Sequence, residues 1–177
     1  MNIPEADILI RHETADDYEH ITQINNAAFG QKNEGLLVEN LRKTPQFIQR
    51  LSLVAEYKTR LIGHILFYPV KIKNDYIEFE SLALAPMSVL PEFQSKGIGG
   101  MLINQGLNAA KELGYKLVIV LGHAEYYPKF GFLPANRWGI KPPFPVEDKY
   151  FMALELFPGA LENTGGVVAY PDEFNDV

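Results

Sequence analysis

The residues best suited to chemistry gather in one stretch, Val89-Leu90-Pro91-Glu92-Phe93-Gln94-Ser95-Lys96-Gly97-Ile98-Gly99-Gly100, which joins an apolar run to a helical pattern through three glycines. A turn of that composition can offer several backbone N–H groups, together with the positive end of the following helix, to an anionic phosphate. The dinucleotide-binding fingerprint would need a third glycine where Leu102 stands, and the P-loop would need a Gly-Lys-Ser/Thr ending that is missing. The competing reading of the same residues is a tight strand-to-helix connection needed only for packing. Elsewhere, His12, His20 and His64 show no metal-ligand spacing with one another or with a carboxylate. With no cysteine in the chain, disulfides, thiolate zinc sites and cysteine nucleophiles are excluded. No metal site is expected.

The elements around this turn follow from periodicity. Ile8 to Ile10 read as a short strand, and Thr14-Ala15-Asp16-Asp17 as the cap of a helix, with acids at its positive end. Ile21, Ile24, Ala28 and Phe29 recur at helical spacing, and Leu36, Leu37, Val38 and Leu41 suggest a second helix after breaks at Gly30 and Gly35, ended by Thr44-Pro45. Residues 51–57 and 61–70 form a hairpin around Lys58-Thr59-Arg60, and residues 76–85 a third long strand. Residues 97–113 place Ile98, Met101, Leu102, Ala109 and Leu113 close to one helical stripe that Gly114 stops. The five apolar residues 117–121 read as a buried strand. A strand, helix, strand unit thus surrounds the glycine turn. Pro142, Pro143 and Pro145 stiffen a loop before a last strand at residues 150–156, and residues 157–177 form a C-terminal tail with no clear period.

Length and charge narrow the classes. A chain of 177 residues with no linker or repeat suits one domain spanning residues 1–177. Sixteen Lys and Arg against twenty-two Asp and Glu, a net charge of -6, oppose phosphate-backbone binding, so no nucleic acid is expected. The apolar run from Leu82 to Met87 falls far short of the ~18 residues that span a bilayer, and the N-terminus carries Glu5 and Asp7 rather than a basic start. A complete, cytoplasmic chain without membrane association is the expectation.

The glycine turn resembles motif A of the GNAT acyltransferase superfamily, Gln/Arg-x-x-Gly-x-Gly/Ala after a Val-x-Pro strand end, with Gln94, Gly97 and Gly99 in place. Tyr127-Pro128-Lys129-Phe130-Gly131-Phe132 is similar to the family's later Tyr-x-x-x-Gly-Phe, and the likeness extends over most of the chain, from Leu84 through the ending Val168-Ala169-Tyr170-Pro171 to Phe174. It resembles most the YhbS-like branch of predicted N-acetyltransferases. The resemblance implies an α/β fold with a mixed, splayed central sheet, and acetyl-CoA lying between the strand ending near Val89 and the strand at residues 117–121. It implies that backbone groups of Met87, Ser88 and Val89 bond the pantetheine arm as an added strand would. The pyrophosphate would then fall to the turn after Gln94, formed by Ser95, Lys96, Gly97, Ile98, Gly99 and Gly100. A Cβ at Gly97 or Gly99 would obstruct phosphate oxygens or the positive φ of the turn. Lys96 would add charge or stand in solvent.

The activity implied is direct transfer of acetyl from acetyl-CoA to an amine of a small molecule or peptide. The alternative is a catalytically silent acyl-CoA sensor of the same fold. An alkyl ammonium with a pKa near ~10.4 costs roughly 4 to 5 kcal/mol to neutralise at pH 7, so a base or water relay helps. Glu80 lies near the family's catalytic carboxylate but three residues before the commonest alignment, which lands on Ala83; Glu78 shares its face. His123, past the strand at residues 117–121, is the histidine nearest the expected mouth, and histidine titrates in a range convenient for a base. Tyr127 matches the position that protonates the departing thiolate, with Tyr126 one residue away. The connection Gly122-His123-Ala124-Glu125 lacks the Asn with which many members open the next helix. The acceptor pocket is expected around residues 29–35 and the Pro-rich loop at residues 138–146. A homodimer is compatible with all of this.

Overall fold

The structure, a computed structural model, describes residues 4–176. Among these, nine strands form one mixed sheet: β1 (Ile8–His12), β2 (Ser52–Tyr57), β3 (Arg60–Lys73), β4 (Glu78–Val89), β5 (Leu117–Leu121), β6 (Leu133–Pro134), β7 (Ile140–Lys141), β8 (Phe151–Glu155) and β9 (Gly166–Ala169). The sheet runs in the order β1-β2-β3-β4-β5-β8-β6, with β9 beside β3 and β7 beside β9. Helices α1 (Tyr18–Phe29) and α2 (Asn33–Arg42) cover one face and α3 (Ile98–Glu112) the other. β3 has to be apolar on both sides as a result. Phe67 points into the core under α3 and Tyr68 into the core under α1 and α2, and both are buried.

The sheet opens at one place. β4 and β5 run parallel and pair only at Leu82 with Val118 and Ala83 with Ile119. Against β3, Ile65 faces Met87 whereas Phe67 faces Leu84, so Ala85 and Pro86 stand opposite Leu66 alone. An extra residue on one strand bends it, and here the bend carries residues 84–89 away from β5. The splay that the family resemblance implied is therefore built by a bulge in β4.

Local chemistry differs from expectation in three places, while Thr14 does cap: it opens the 3₁₀ turn Ala15–Asp17 that leads into α1 with a capping box, its backbone N–H (2.7 Å) and its hydroxyl (3.0 Å) both meeting the Asp17 carboxylate, which Arg11 also holds at 2.7 and 2.9 Å. Gly35 is no break: it lies inside α2, where a Cβ would strike the Asn26 side chain and stand 3.1 Å from the Thr22 carbonyl oxygen, so glycine permits α1 and α2 to approach. The β2–β3 turn has only two residues, Lys58 and Thr59, both at positive φ, as the twist of a two-residue hairpin demands. The segment read as an aperiodic tail contributes β9, which pairs with residues 71–73 of β3, and a 3₁₀ turn at Asp172–Asp176 that packs on α2.

A buried polar chain ties α1 and α2 to the sheet. Arg42 holds Glu13 at 2.8 and 3.1 Å, Ser52 Oγ donates to Glu13 at 2.6 Å, and His64 Nε2 lies 2.9 Å from Ser52 Oγ. Asn25 Nδ2 meets His64 Nδ1 at 3.3 Å. Since the Ser52 proton goes to Glu13 and the Asn25 amide donates to Nδ1, His64 is the neutral tautomer with its proton on Nε2. Burial, with Arg42 as a lesser cause, holds its pKa down to about 3. No step of catalysis is needed to account for this histidine.

Candidate active site

The gap between β4 and β5 is the floor of a cavity of ≈ 1030 Å³. Its long wall is residues 83–89 of β4; one end is the glycine turn, and the other is closed by the α1–α2 junction, the Pro-rich loop and the C-terminal segment. Beyond Ala83 the β5-facing edge of β4 has no strand partner among the described residues, leaving main-chain groups of Met87, Ser88 and Val89 beside the cavity. Ser88 Oγ is buried with no hydrogen-bond partner among the described residues. A buried hydroxyl left so is costly, and a polar ligand in the cavity would remove that cost.

The turn at residues 95–100 has the form of an anion cradle. Ser95 (φ 59°) and Gly97 (φ 83°) are both left-handed, a sequence of conformations that turns successive N–H groups to one side. The first bond of α3 runs from the Met101 N–H to the Gly97 carbonyl at 3.1 Å, so the N–H groups of Ile98, Gly99 and Gly100 have no acceptor within the helix. The two motif glycines have different causes. A Cβ on Gly97 would meet nothing within 4 Å, and it is the positive φ that requires glycine; a Cβ on Gly99 would stand 2.6 Å from the Tyr126 hydroxyl and 3.2 Å from Met87 Sδ. Gly100 would meet only Phe130, at an ordinary 3.5 Å, and does not line the cavity. Gln94 lines it and also donates to the Val89 carbonyl at 3.0 Å, pinning the turn to the end of β4.

Tyr127 and Tyr126 reach the cavity from the turn that follows β5. No α-helix opens there; a 3₁₀ turn, Tyr127–Phe130, takes its place, held by the Tyr126 N–H donating to the His123 carbonyl at 3.1 Å. The Tyr127 ring lies on Gly122, where any Cβ would collide with it, and edge-on to Tyr126 and Phe132. Desolvation, reinforced by Tyr126, raises the Tyr127 phenol well above its ordinary pKa. It therefore keeps its proton at neutral pH, and the same shift makes it a weaker acid than an exposed phenol. His123 also lines the cavity and is exposed.

Three of the residues considered lie elsewhere. Glu80 faces Lys71 across the β3–β4 pair, with its carboxylate exposed and 3.8 Å from Lys71 Nζ. It precedes the point where the strands part, and the cavity begins at Ala83, so no reach of its side chain brings it into the lining. Glu78 is likewise bound by Lys71 (2.7 Å) and Lys73 (2.9 Å). Lys96 turns away from the cavity and donates to the Glu92 carbonyl at 2.5 Å.

The end of the cavity away from the glycine turn holds residues both inside and outside the expected segments. Phe29, Glu34 and Phe144 fall within those segments, but Trp138 is not in the lining. Tyr170, Phe174 and Asn175 line it from outside them. The four-residue interval between Tyr170 and Phe174, across Pro171, was the available signal; it was masked because the strand that delivers it is short and lies on β3 from a distant part of the chain.

Comparison with known proteins bears on the family and the fold. The profile of the acetyltransferase (GNAT) domain matches residues 9–135. The N-acetyltransferase YjhQ of Escherichia coli K12 is 36% identical over 162 residues, covering 89% of this chain and 90% of YjhQ. The crystal structure of the GNAT family N-acetyltransferase YhbS from Escherichia coli in complex with CoA superimposes with a TM-score of 0.89 at 28% identity, over 99% of this chain and 96% of that one. A GNAT family acetyltransferase from Brucella melitensis in complex with acetyl-CoA gives a TM-score of 0.78 at 34% identity, over 95% and 98% of the two chains.

Proposed function

The chain belongs to the GNAT acetyltransferase family, and from that premise we propose that it transfers the acetyl group of acetyl-CoA directly to the amine of an acceptor molecule. The observation that carries this reading is the parting of β4 and β5 over a cavity with an anion cradle at one end and a protonated, buried tyrosine on its wall.

When bound, acetyl-CoA supplies an activated thioester. The N–H groups of residues 95–100 hold the pyrophosphate, which explains why the turn needs left-handed backbone at Ser95 and Gly97. The open edge of β4 at Met87, Ser88 and Val89 bonds the pantetheine arm and lays the thioester along the gap. His123, at the cavity's exposed margin, takes the ammonium proton and passes it to water. Tyr127 gives its proton to the sulfur as the C–S bond breaks and the new C–N bond is completed, and the second proton shed by the acceptor nitrogen returns, through water, to the phenolate and restores Tyr127. No protein nucleophile is involved, consistent with a chain that has no cysteine.

A silent acyl-CoA sensor is favoured by one observation, the position of Glu80 outside the cavity. Release of free CoA thiol, measured across polyamines, amino acids, aminoglycosides and peptide N-termini, separates the two readings. Amine-dependent release supports the transferase. Tight acetyl-CoA binding with no release across the panel supports the sensor.

A further inference from the structure

The acceptor end of the cavity has an uneven charge. Glu34 stands in the first turn of α2 and lines the cavity. Its Oε1 accepts a hydrogen bond from Gln31 Nε2 at 2.8 Å, while Oε2 is buried and has no hydrogen-bond partner among the described residues. A carboxylate oxygen out of water without a donor is expensive, and a cation in the cavity would supply the missing donor. Among the described residues the lining supplies none: it includes no lysine and no arginine, and His123, the one such side chain there able to carry positive charge, follows β5 at the cofactor side. The same cavity has an aromatic wall. Phe144 stacks on Tyr170 with centroids 6.1 Å apart and an interplanar angle of 28°, and Tyr170 meets Phe174 at 5.1 Å. Aromatic faces also favour a cation.

Building on the acyltransfer reading, we infer that the acceptor is a cationic amine with an apolar or aromatic body and no carboxylate beside the amine, held by Glu34 against the Phe144, Tyr170 and Phe174 stack. Glu34 is a positioning residue. The exclusion of a carboxylate is as much a part of the inference as the attraction of the ammonium. An acidic acceptor would bring its negative charge into a desolvated space beside Glu34 with no lysine or arginine to meet it. Specificity then comes from a repulsive element as well as an attractive one.

The test uses a matched pair that differs only in the carboxylate, phenethylamine and phenylalanine, in steady-state thiol-release assays with wild-type protein and Glu34→Gln. The wild type is expected to prefer phenethylamine by at least tenfold in kcat/KM. Glu34→Gln should raise the KM for phenethylamine at least tenfold, leave the KM for acetyl-CoA within twofold, and shrink the preference over phenylalanine at least fivefold. A wild-type preference below tenfold, or a preference that Glu34→Gln leaves intact, overturns the inference. The same amines are titrated into protein saturated with CoA, so that failure of the pocket and failure of the reaction are told apart. Selective binding of phenethylamine, lost in Glu34→Gln and without thiol release in the turnover assay, supports the pocket and contradicts acetyl transfer. Equal turnover of both amines does the reverse, and no binding with no turnover of phenethylamine overturns the inference.

Discussion

A Cβ on Gly99 would stand 2.6 Å from the hydroxyl oxygen of Tyr126, so the first turn of α3 and the turn after β5 touch across the cofactor end of the cavity. The second glycine of the motif is thereby fixed by a neighbour as well as by any ligand. Gly99→Ala is expected to push the Tyr126 ring aside at about 1–3 kcal/mol, the usual cost of overpacking, and to weaken acetyl-CoA binding accordingly. Tyr126→Phe removes the atom in the way. The double variant should therefore bind acetyl-CoA more tightly than Gly99→Ala alone, as calorimetric titration of all four proteins would show. Additive losses would mean that the two residues do not meet in solution.

Tyr127 keeps its ring packing on Gly122 and Phe132 when only the hydroxyl is removed. If the phenol protonates the leaving thiolate, Tyr127→Phe lowers kcat by ~10² to 10⁴, the scale of a lost general acid, and barely changes acetyl-CoA affinity. Because burial raises this phenol's pKa, the wild-type kcat should show no loss of an acid at pH values near 10, where an exposed tyrosine would already ionise. A loss of under threefold in kcat, with chemistry limiting turnover, removes Tyr127 from the mechanism and directs attention to Tyr126 or His123.

The glycine motif and Tyr127 were readable because each depends on a few neighbouring residues: left-handed backbone at Gly97, and a tyrosine two residues before Lys129 and four before Gly131. Glu80 was misplaced for a different reason. Whether a strand residue reaches the cavity depends on where β4 leaves β5, and that point is set by a bulge whose register against β3 no local pattern declares. Glu34 falls within the segment at residues 29–35 expected to line the pocket, but its carboxylate was not singled out there, because Gly35 read as a break when that glycine instead permits α1 to touch α2 and lies inside a helix that begins at Asn33. Tyr170 and Phe174 depend on β9 finding β3 nearly a hundred residues earlier, a pairing that four residues of sequence cannot specify.

The exposed residues near the motif should matter little. Lys96→Ala removes a side chain bonded to the Glu92 carbonyl outside the cavity and is expected to weaken acetyl-CoA binding at most by a fewfold. Glu80→Gln should leave kcat within twofold, since its partner is Lys71 in solvent. Steady-state kinetics with both variants check this. A hundredfold fall in kcat for Glu80→Gln would restore it as a base.

Acid should loosen the fold through His64. Its folded pKa of about 3 lies below the ~6.5 of an unfolded histidine, so the unfolded chain binds a proton that the folded chain refuses. The stability this group contributes is present above pH 6.5 and is lost as pH falls from there toward 3, by about 2 kcal/mol between pH 6.5 and 4.5. Asp17, held by Arg11 and Thr14 down to about 2, adds stability present above pH 3.8 and lost as pH falls through 2, outside that window. Urea midpoints at pH 7 and 4.5 should differ accordingly in the wild type and less in His64→Gln. Equal pH dependence in both proteins would show that His64 is not the group responsible.

The reaction itself can be followed most directly by carrying isotopically labelled acetyl-CoA through a single incubation with an amine and weighing the thiol, the acceptor and the protein. Direct transfer predicts one free CoA thiol for each N-acetylated amine, with the label on the acceptor and none left on the protein. Thiol release without labelled amine, or tight acetyl-CoA binding with neither product, would contradict it.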